Sequence, residues 1–122
     1  MKKFIIISIL IFFSLSSCSD NPVEEITKPE ISLMDAALAG KVEIIRQHIT
    51  VGTKLDQRDL KSGSTALITA ATFGQTEVAQ ILIENGADLE IQNNEGSTAL
   101  MTAAFFCRTE IVKALLEKGA ER

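Results

Sequence analysis

Side chains able to do chemistry are few in this sequence. It holds one histidine, His48, and two cysteines, Cys18 and Cys107. A nucleophile needs a base to activate it, and a thiol needs a cationic or helix N-terminal environment to become a thiolate at neutral pH. Neither cysteine has a histidine near it in sequence, so Cys107 reads as a structural thiol and His48 as a half-buried packing residue. Asp35 and Glu43 fall on successive helical segments, and Asp56 and Asp59 on one loop. These carboxylates read as a solvated acidic rim, because a calcium site needs a tighter oxygen-rich loop built round a glycine turn. Each glycine is accounted for by a helix stop or a hairpin, which leaves no loop to cradle a phosphate. The expectation is therefore no catalytic residue, no metal, no cofactor and no small-molecule substrate.

Cys18 stands apart because of what precedes it. Lys2 and Lys3 lead into an apolar stretch over residues 4–15, broken only by Ser8 and Ser14, and then into Ser16-Ser17-Cys18. A basic start, an apolar core and small residues make a secretory signal. As a helix the apolar run spans about 18 Å, short of the about 30 Å hydrocarbon core, so a permanent membrane span is the weaker reading. Leu15-Ser16-Ser17-Cys18 resembles the bacterial lipobox. That resemblance implies cleavage before Cys18, a diacylglycerol on its thiol and a further acyl chain on the new amino terminus, which together suffice for stable anchoring. The alternative is a simple cleaved signal with an incidental cysteine.

Removal of residues 1–17 leaves 10 basic against 16 acidic side chains, a net charge of −6. Beyond residue 20 no three consecutive positions hold more than one basic residue. A polyanion would be repelled over most of such a surface, so nucleic acid is not an expected partner. With Cys18 acylated, only Cys107 is left and no intrachain disulfide can form. Residues 18–31 are mostly polar or acidic, contain both prolines and show no apolar period through residue 30, which makes them a lipidated tether able to reach about 40 Å when extended.

From residue 32 onward self-similarity dominates. Gly63-Ser64-Thr65-Ala66-Leu67 returns 33 residues later as Gly96-Ser97-Thr98-Ala99-Leu100, and Ala70-Ala71 as Ala103-Ala104. Glu84-Asn85-Gly86-Ala87 returns as Glu117-Lys118-Gly119-Ala120, and a degenerate first copy aligns at 34, with Ala36-Ala37, Gly40 and Gly52 matching Ala70-Ala71, Gly74 and Gly86. The extra residue falls at Leu60-Lys61-Ser62. Each copy divides into an alanine-rich helix started by Ser/Thr hydroxyls, a glycine stop, an amphipathic helix and a second stop. Val78, Ile81 and Leu82, like Ile111, Ala114 and Leu115, lie at i, i+3, i+4 and form one stripe to be buried. Glu77, near the start of its helix, suits the positive end of the dipole.

These residues resemble the ankyrin repeat over 32–122, in copies at about 32–62, 63–95 and 96–122. The resemblance implies an all-α ankyrin-repeat solenoid of about three helix-turn-helix repeats with short β-hairpin loops. Where the family carries Pro-Leu-His, this chain has Ala66-Leu67-Ile68 and Ala99-Leu100-Met101. That change removes a threonine–histidine hydrogen bond, which burial of Ile68 and Met101 is expected to replace. His48 stands where the outer helix of the family usually has leucine, and Cys107 where it has the interhelical glycine, with mild strain as the consequence.

Ankyrin stacks bind through loop tips and the inner-helix groove, and the resemblance implies a protein partner here. The tips are residues 57–62 and 92–95, with Arg58, Asp59, Lys61, Asn93, Asn94 and Glu95 as contact candidates. The groove candidates are Leu38, Thr72, Phe73, Phe105 and Phe106. After loss of the signal the last three are the only aromatics, and Phe73 and Phe106, 33 apart, should lie side by side; the alternative is that Phe105 and Phe106 cover an uncapped last repeat. The expected role is a protein-binding lipoprotein of the cell envelope, held to the membrane through Cys18. Alternatives are an immunity, inhibitor or accessory protein for a secreted or periplasmic enzyme, or a structural protein that associates with itself. Ser19 is permissive for outer-membrane sorting, and Asp20, Glu24 and Glu25 resemble acidic surface-export signals. The expected address is the outer membrane, facing the periplasm, with the outer surface as the alternative.

Overall fold

The computed structural model describes residues 29–120. Cys18, the signal segment 1–17 and the tether up to residue 28 lie outside the described residues. Among the described residues six helices follow one another: α1 Leu33–Ala39, α2 Val42–Thr50, α3 Ala66–Phe73, α4 Thr76–Glu84, α5 Ala99–Phe105 and α6 Thr109–Glu117. They form three helical hairpins stacked in two layers. Inner helix α1 packs on α3 and α3 on α5, while outer helix α2 packs on α4 and α4 on α6. This is the helix-turn-helix stack that the 33-residue spacing implies.

Short helices hold because their ends are tied. Thr65 Oγ1 accepts from Ile68 N at 3.2 Å and Thr98 Oγ1 from Met101 N at 3.3 Å, while Ser32 Oγ accepts from Asp35 N at 3.0 Å. Each bond removes one orphan donor from a first turn. At the other end Gly74 takes φ 71°, and its N–H returns to Ala70 O. Ala70 and Ala71 are fully buried, as are Ala36, Ala37 and Ala103, so small side chains let the inner helices pack closely. The outer helices supply bulk: Ile45, Val78, Leu82, Ile111 and Leu115 are all buried.

Three details depart from the sequence reading. The inter-repeat loops close through turn hydrogen bonds, Asp59 N to Ser64 O and Gly63 N to Asp59 O, both at 2.8 Å, in one, and Asn93 N to Ser97 O at 3.0 Å with Gly96 N to Asn93 O at 2.9 Å in the other, and no β-strand occurs among the described residues. His48 is fully rather than half buried, at 1% exposure. Its Nε2 lies 2.8 Å from Ile31 O and its Nδ1 2.9 Å from Thr53 Oγ1, so a polar ring satisfied at both nitrogens substitutes for an aliphatic one. Finally, Ile68 is buried but Met101 is 49% exposed. Ile68 lies on α3, which packs between α1 and α5, whereas Met101 lies on α5, which packs on α3 and α6.

Candidate functional site

The two inter-repeat loops and the end of α5 enclose a groove of about 620 Å³. Its floor is Thr72, Met101, Thr102, Phe105 and Phe106, and its walls are Lys61, Ser62, Ser64, Asn93, Asn94, Glu95 and Ser97. This volume lies in the about 300–1,000 Å³ range of ordinary binding clefts.

The floor is apolar and open. Phe105 is 79% exposed and Phe106 43%, with their ring centroids 5.0 Å apart and planes at 88°. The edge-to-face contact braces Phe106 with Phe105 while leaving both accessible. Phe106 is further held by Arg108, whose guanidinium carbon lies 5.9 Å from the ring centroid. Thr72 turns its hydroxyl back to Ile68 O at 2.9 Å and so offers the groove mainly its methyl side.

The walls are rigid because their polar groups bond one another. Asp59 accepts from Lys61 N at 3.0 Å, Ser62 N at 2.8 Å and Ser62 Oγ at 3.0 Å. The Ser62 bonds, backbone first, hold the Asp59 carboxyl below its ordinary pKa against an opposing desolvation, and the Lys61 amide and charge add smaller help. Arg58 bridges two loops, donating from Nε to Gly63 O at 2.9 Å and from Nη2 to Gln92 O at 2.8 Å. Asn94 fastens the loops again, its Nδ2 donating to Lys61 O at 2.9 Å and its N–H to Ser62 O at 2.8 Å. Asn93 Oδ1 accepts from Glu95 N at 2.9 Å and Ser97 N at 3.0 Å.

The eleven candidate contact residues therefore fall into three groups. Thr72, Phe105, Phe106, Lys61, Asn93, Asn94 and Glu95 come together round the groove. Arg58 and Asp59 lie behind it as scaffolding, their side chains engaged inside the loops. Leu38 and Phe73 are exposed but outside the groove, and Phe73 makes no ring contact with Phe106, contrary to the expected pair: among the described residues the one aromatic pair is Phe105 with Phe106. Arg108 takes that intervening space, lying against Gly74 at the end of α3 and over Phe106.

Two features of this surface escaped the sequence reading. The resemblance places Met101 in the core, yet it is 49% exposed on α5, which packs on α3 and α6. Leu60, in the Leu60-Lys61-Ser62 stretch that holds the extra residue of the first loop, is 100% exposed at the tip. The break from 34- to 33-residue spacing marks that stretch but not the exposure of Leu60. Cys107 is exposed and takes φ 59°, the one positive φ outside glycine among the described residues. Among those residues no cluster of three His, Cys, Asp or Glu side chains could hold a metal ion, and no helix is long and apolar enough to cross a membrane.

Comparison with known proteins gives the same picture for the fold. The family model described as ankyrin repeats, in three copies, matches residues 33–121. The human DNA-binding protein RFXANK is similar to this chain, 33% identical over 69 residues. That match covers 57% of this chain and 26% of the human protein, so the chain spans about a quarter of that relative's length.

Proposed function

This chain belongs to the ankyrin-repeat family, and from that premise we propose that it is a lipid-anchored protein-binding module of the bacterial cell envelope. Ankyrin repeats imply protein–protein interaction and are typically not enzymes. The finer reading adds an export signal over residues 1–17, acylation of Cys18, and a tether over 18–31 that holds the repeats off the outer membrane on its periplasmic side. The lipobox resemblance of Leu15-Ser16-Ser17-Cys18 supports the anchor. DNA binding, which the human relative's name carries, has little support here: the chain has a net charge of −4, and Lys61 is the one cation lining the groove.

The observation that carries the binding role is the groove floor. Met101, Phe105 and Phe106 are a contiguous exposed apolar strip between hydrogen-bonded loops, and aromatics concentrated in a preorganised concavity are what binding hot spots are made of. A photoreactive side chain placed at Met101 should give a protein adduct in intact cells that Phe106→Ala removes, while the same probe at Gln80 on the outer layer gives none. Equal adducts from both positions, or indifference to Phe106→Ala, would overturn the groove. Mass spectrometry of the mature amino terminus tests the anchor: a free, unmodified Cys18 or Ser19 terminus would rule it out.

A further inference from the structure

Resting on the reading of this groove as a protein-binding surface, we propose that its occupant is a second copy of this chain, docked face to face about a two-fold axis. The argument begins with charge. Lys61 and Glu95 stand on neighbouring walls of the groove. Among the described residues neither makes an ion pair, the one such pair being Lys113–Glu110, at 3.9 Å on the outer layer, and the Asp59 carboxylate near Lys61 is already engaged by Ser62. A chain of net charge −4 repels its own copy over most faces. The groove rim is an exception, because it carries one charge of each sign. A two-fold interface sets residue i against j and j against i. With the axis passing between the two loops, Lys61 of each copy meets Glu95 of the other, and two ion pairs form from one self-complementary rim.

The apolar part fits the same operator. Leu60 adjoins Lys61, so the rotation that brings Lys61 to the opposite Glu95 also carries Leu60 over the opposite groove, whose floor is Met101, Phe105 and Phe106. Leu60 is fully exposed, yet it sits in a loop fixed by the Asp59 carboxylate and by the Gly63 N–H bond to Asp59 O at 2.8 Å. A backbone already held in place loses little further freedom on docking, and only the leucine's own rotamers are left to be ordered. A wholly exposed leucine on a rigid tip and an open aromatic trough one loop away are the two halves of one contact, made twice.

The test is charge reversal in the full chain, read by sedimentation equilibrium in a density-matched mild detergent over a concentration series. Wild type should pass reversibly from monomer to dimer. Lys61→Glu and Glu95→Lys should each weaken dimerisation at least about tenfold, because each puts like charges together at both symmetric contacts. The double variant, whose net charge equals that of wild type, should recover the dimer, and an equimolar mixture of the two single variants should form a heterodimer. Leu60→Ser should also weaken the dimer. Both charged side chains are exposed and make no hydrogen bond of their own, so circular dichroism and melting should be unchanged and would expose any folding artefact. A wild type that stays monomeric, or a double variant no better than the single ones, overturns the proposal. If the Met101 adduct contains a different protein and still depends on Phe106, the groove reading stands and the second copy is wrong; if no adduct depends on Phe106, the groove reading itself fails.

Discussion

The guanidinium of Arg108 donates from Nη2 to the carbonyl of Thr72 at 2.9 Å, joining the start of α6 to the end of α3 in the preceding repeat. One repeat earlier Gln75 does the same, its Nε2 donating to Leu38 O at 2.9 Å. The two donors are 33 residues apart and the two acceptors 34, so this is one device used twice: the residue after each interhelical stop reaches back to satisfy an orphan carbonyl at the previous inner helix's C-terminus.

Arg108→Ala should therefore cost about 1–3 kcal/mol in urea unfolding, since it unpairs the Thr72 carbonyl and uncovers one face of Phe106. Arg108→Gln should recover part of that loss by making the bond Gln75 makes. Equal losses for both variants would mean that the guanidinium acts by packing and not as a donor.

Cys107→Gly should raise stability by about 1 kcal/mol. Cys107 holds φ 59° where the equivalent Gly74 holds 71°, and a left-handed conformation is strained for a residue with a Cβ. Thermal melting would show it. A loss of groove binding in the folded variant would instead reveal a function for the thiol.

How much of this was legible in the sequence depends on the reach of each interaction. Thr65, Gly74 and the Val78, Ile81, Leu82 stripe act within one helix, and their spacing alone assigns them. The Gln75 and Arg108 bonds run across 37 and 36 residues and have no local pattern to announce them. Arg58 and Asp59 are contact candidates by the ankyrin resemblance, in which loop tips bind, yet their side chains hold the loops together. Met101 differs for another reason: a repeat identifies equivalent positions, but burial depends on what packs against each copy, and α3 has inner helices on both sides where α5 packs on α3 and α6.

Asp59 should titrate below the ordinary carboxylate range, as a carbon-13 carboxyl titration would read. Its lowered pKa means that the folded loop binds a proton less readily than the unfolded chain. The loop's extra stability is thus fully present above the unfolded value of 3.8 and is lost as pH falls through the lower folded value. The protection of the Lys61 and Ser62 amides, relative to their intrinsic exchange at each pH, should fall over that acid window and hold constant at neutral pH. Asp59→Asn should abolish this pH dependence; protection that fell equally in Asp59→Asn would assign the effect to another group.

His48→Ala should destabilise the first repeat by about 2–5 kcal/mol, because it opens a cavity and strips Ile31 O of its partner. His48→Leu refills the space and should cost less. Loss of amide protection confined to α1 and α2 in the alanine variant would locate the damage. An alanine variant as stable as wild type would mean the ring supports nothing.

The exposed rings and the buried aliphatics should separate cleanly in unfolding experiments. Leu115 is fully buried at the centre of the last repeat's outer helix, so Leu115→Ala should cost about 2–5 kcal/mol. Phe105 and Phe73, 79% and 54% exposed, have little burial to lose, and Phe105→Ala should forfeit mainly its edge contact with Phe106, about 0.5–1.5 kcal/mol. Phe106→Ala should fall between, since it loses both that contact and the Arg108 guanidinium over its face. The expected order of damage is Leu115, Phe106, Phe105, Phe73. If Phe105→Ala instead collapses the last repeat as Leu115→Ala does, the rings are a hydrophobic cover for an end of the stack, and the binding surface has to be sought on the loop tips alone.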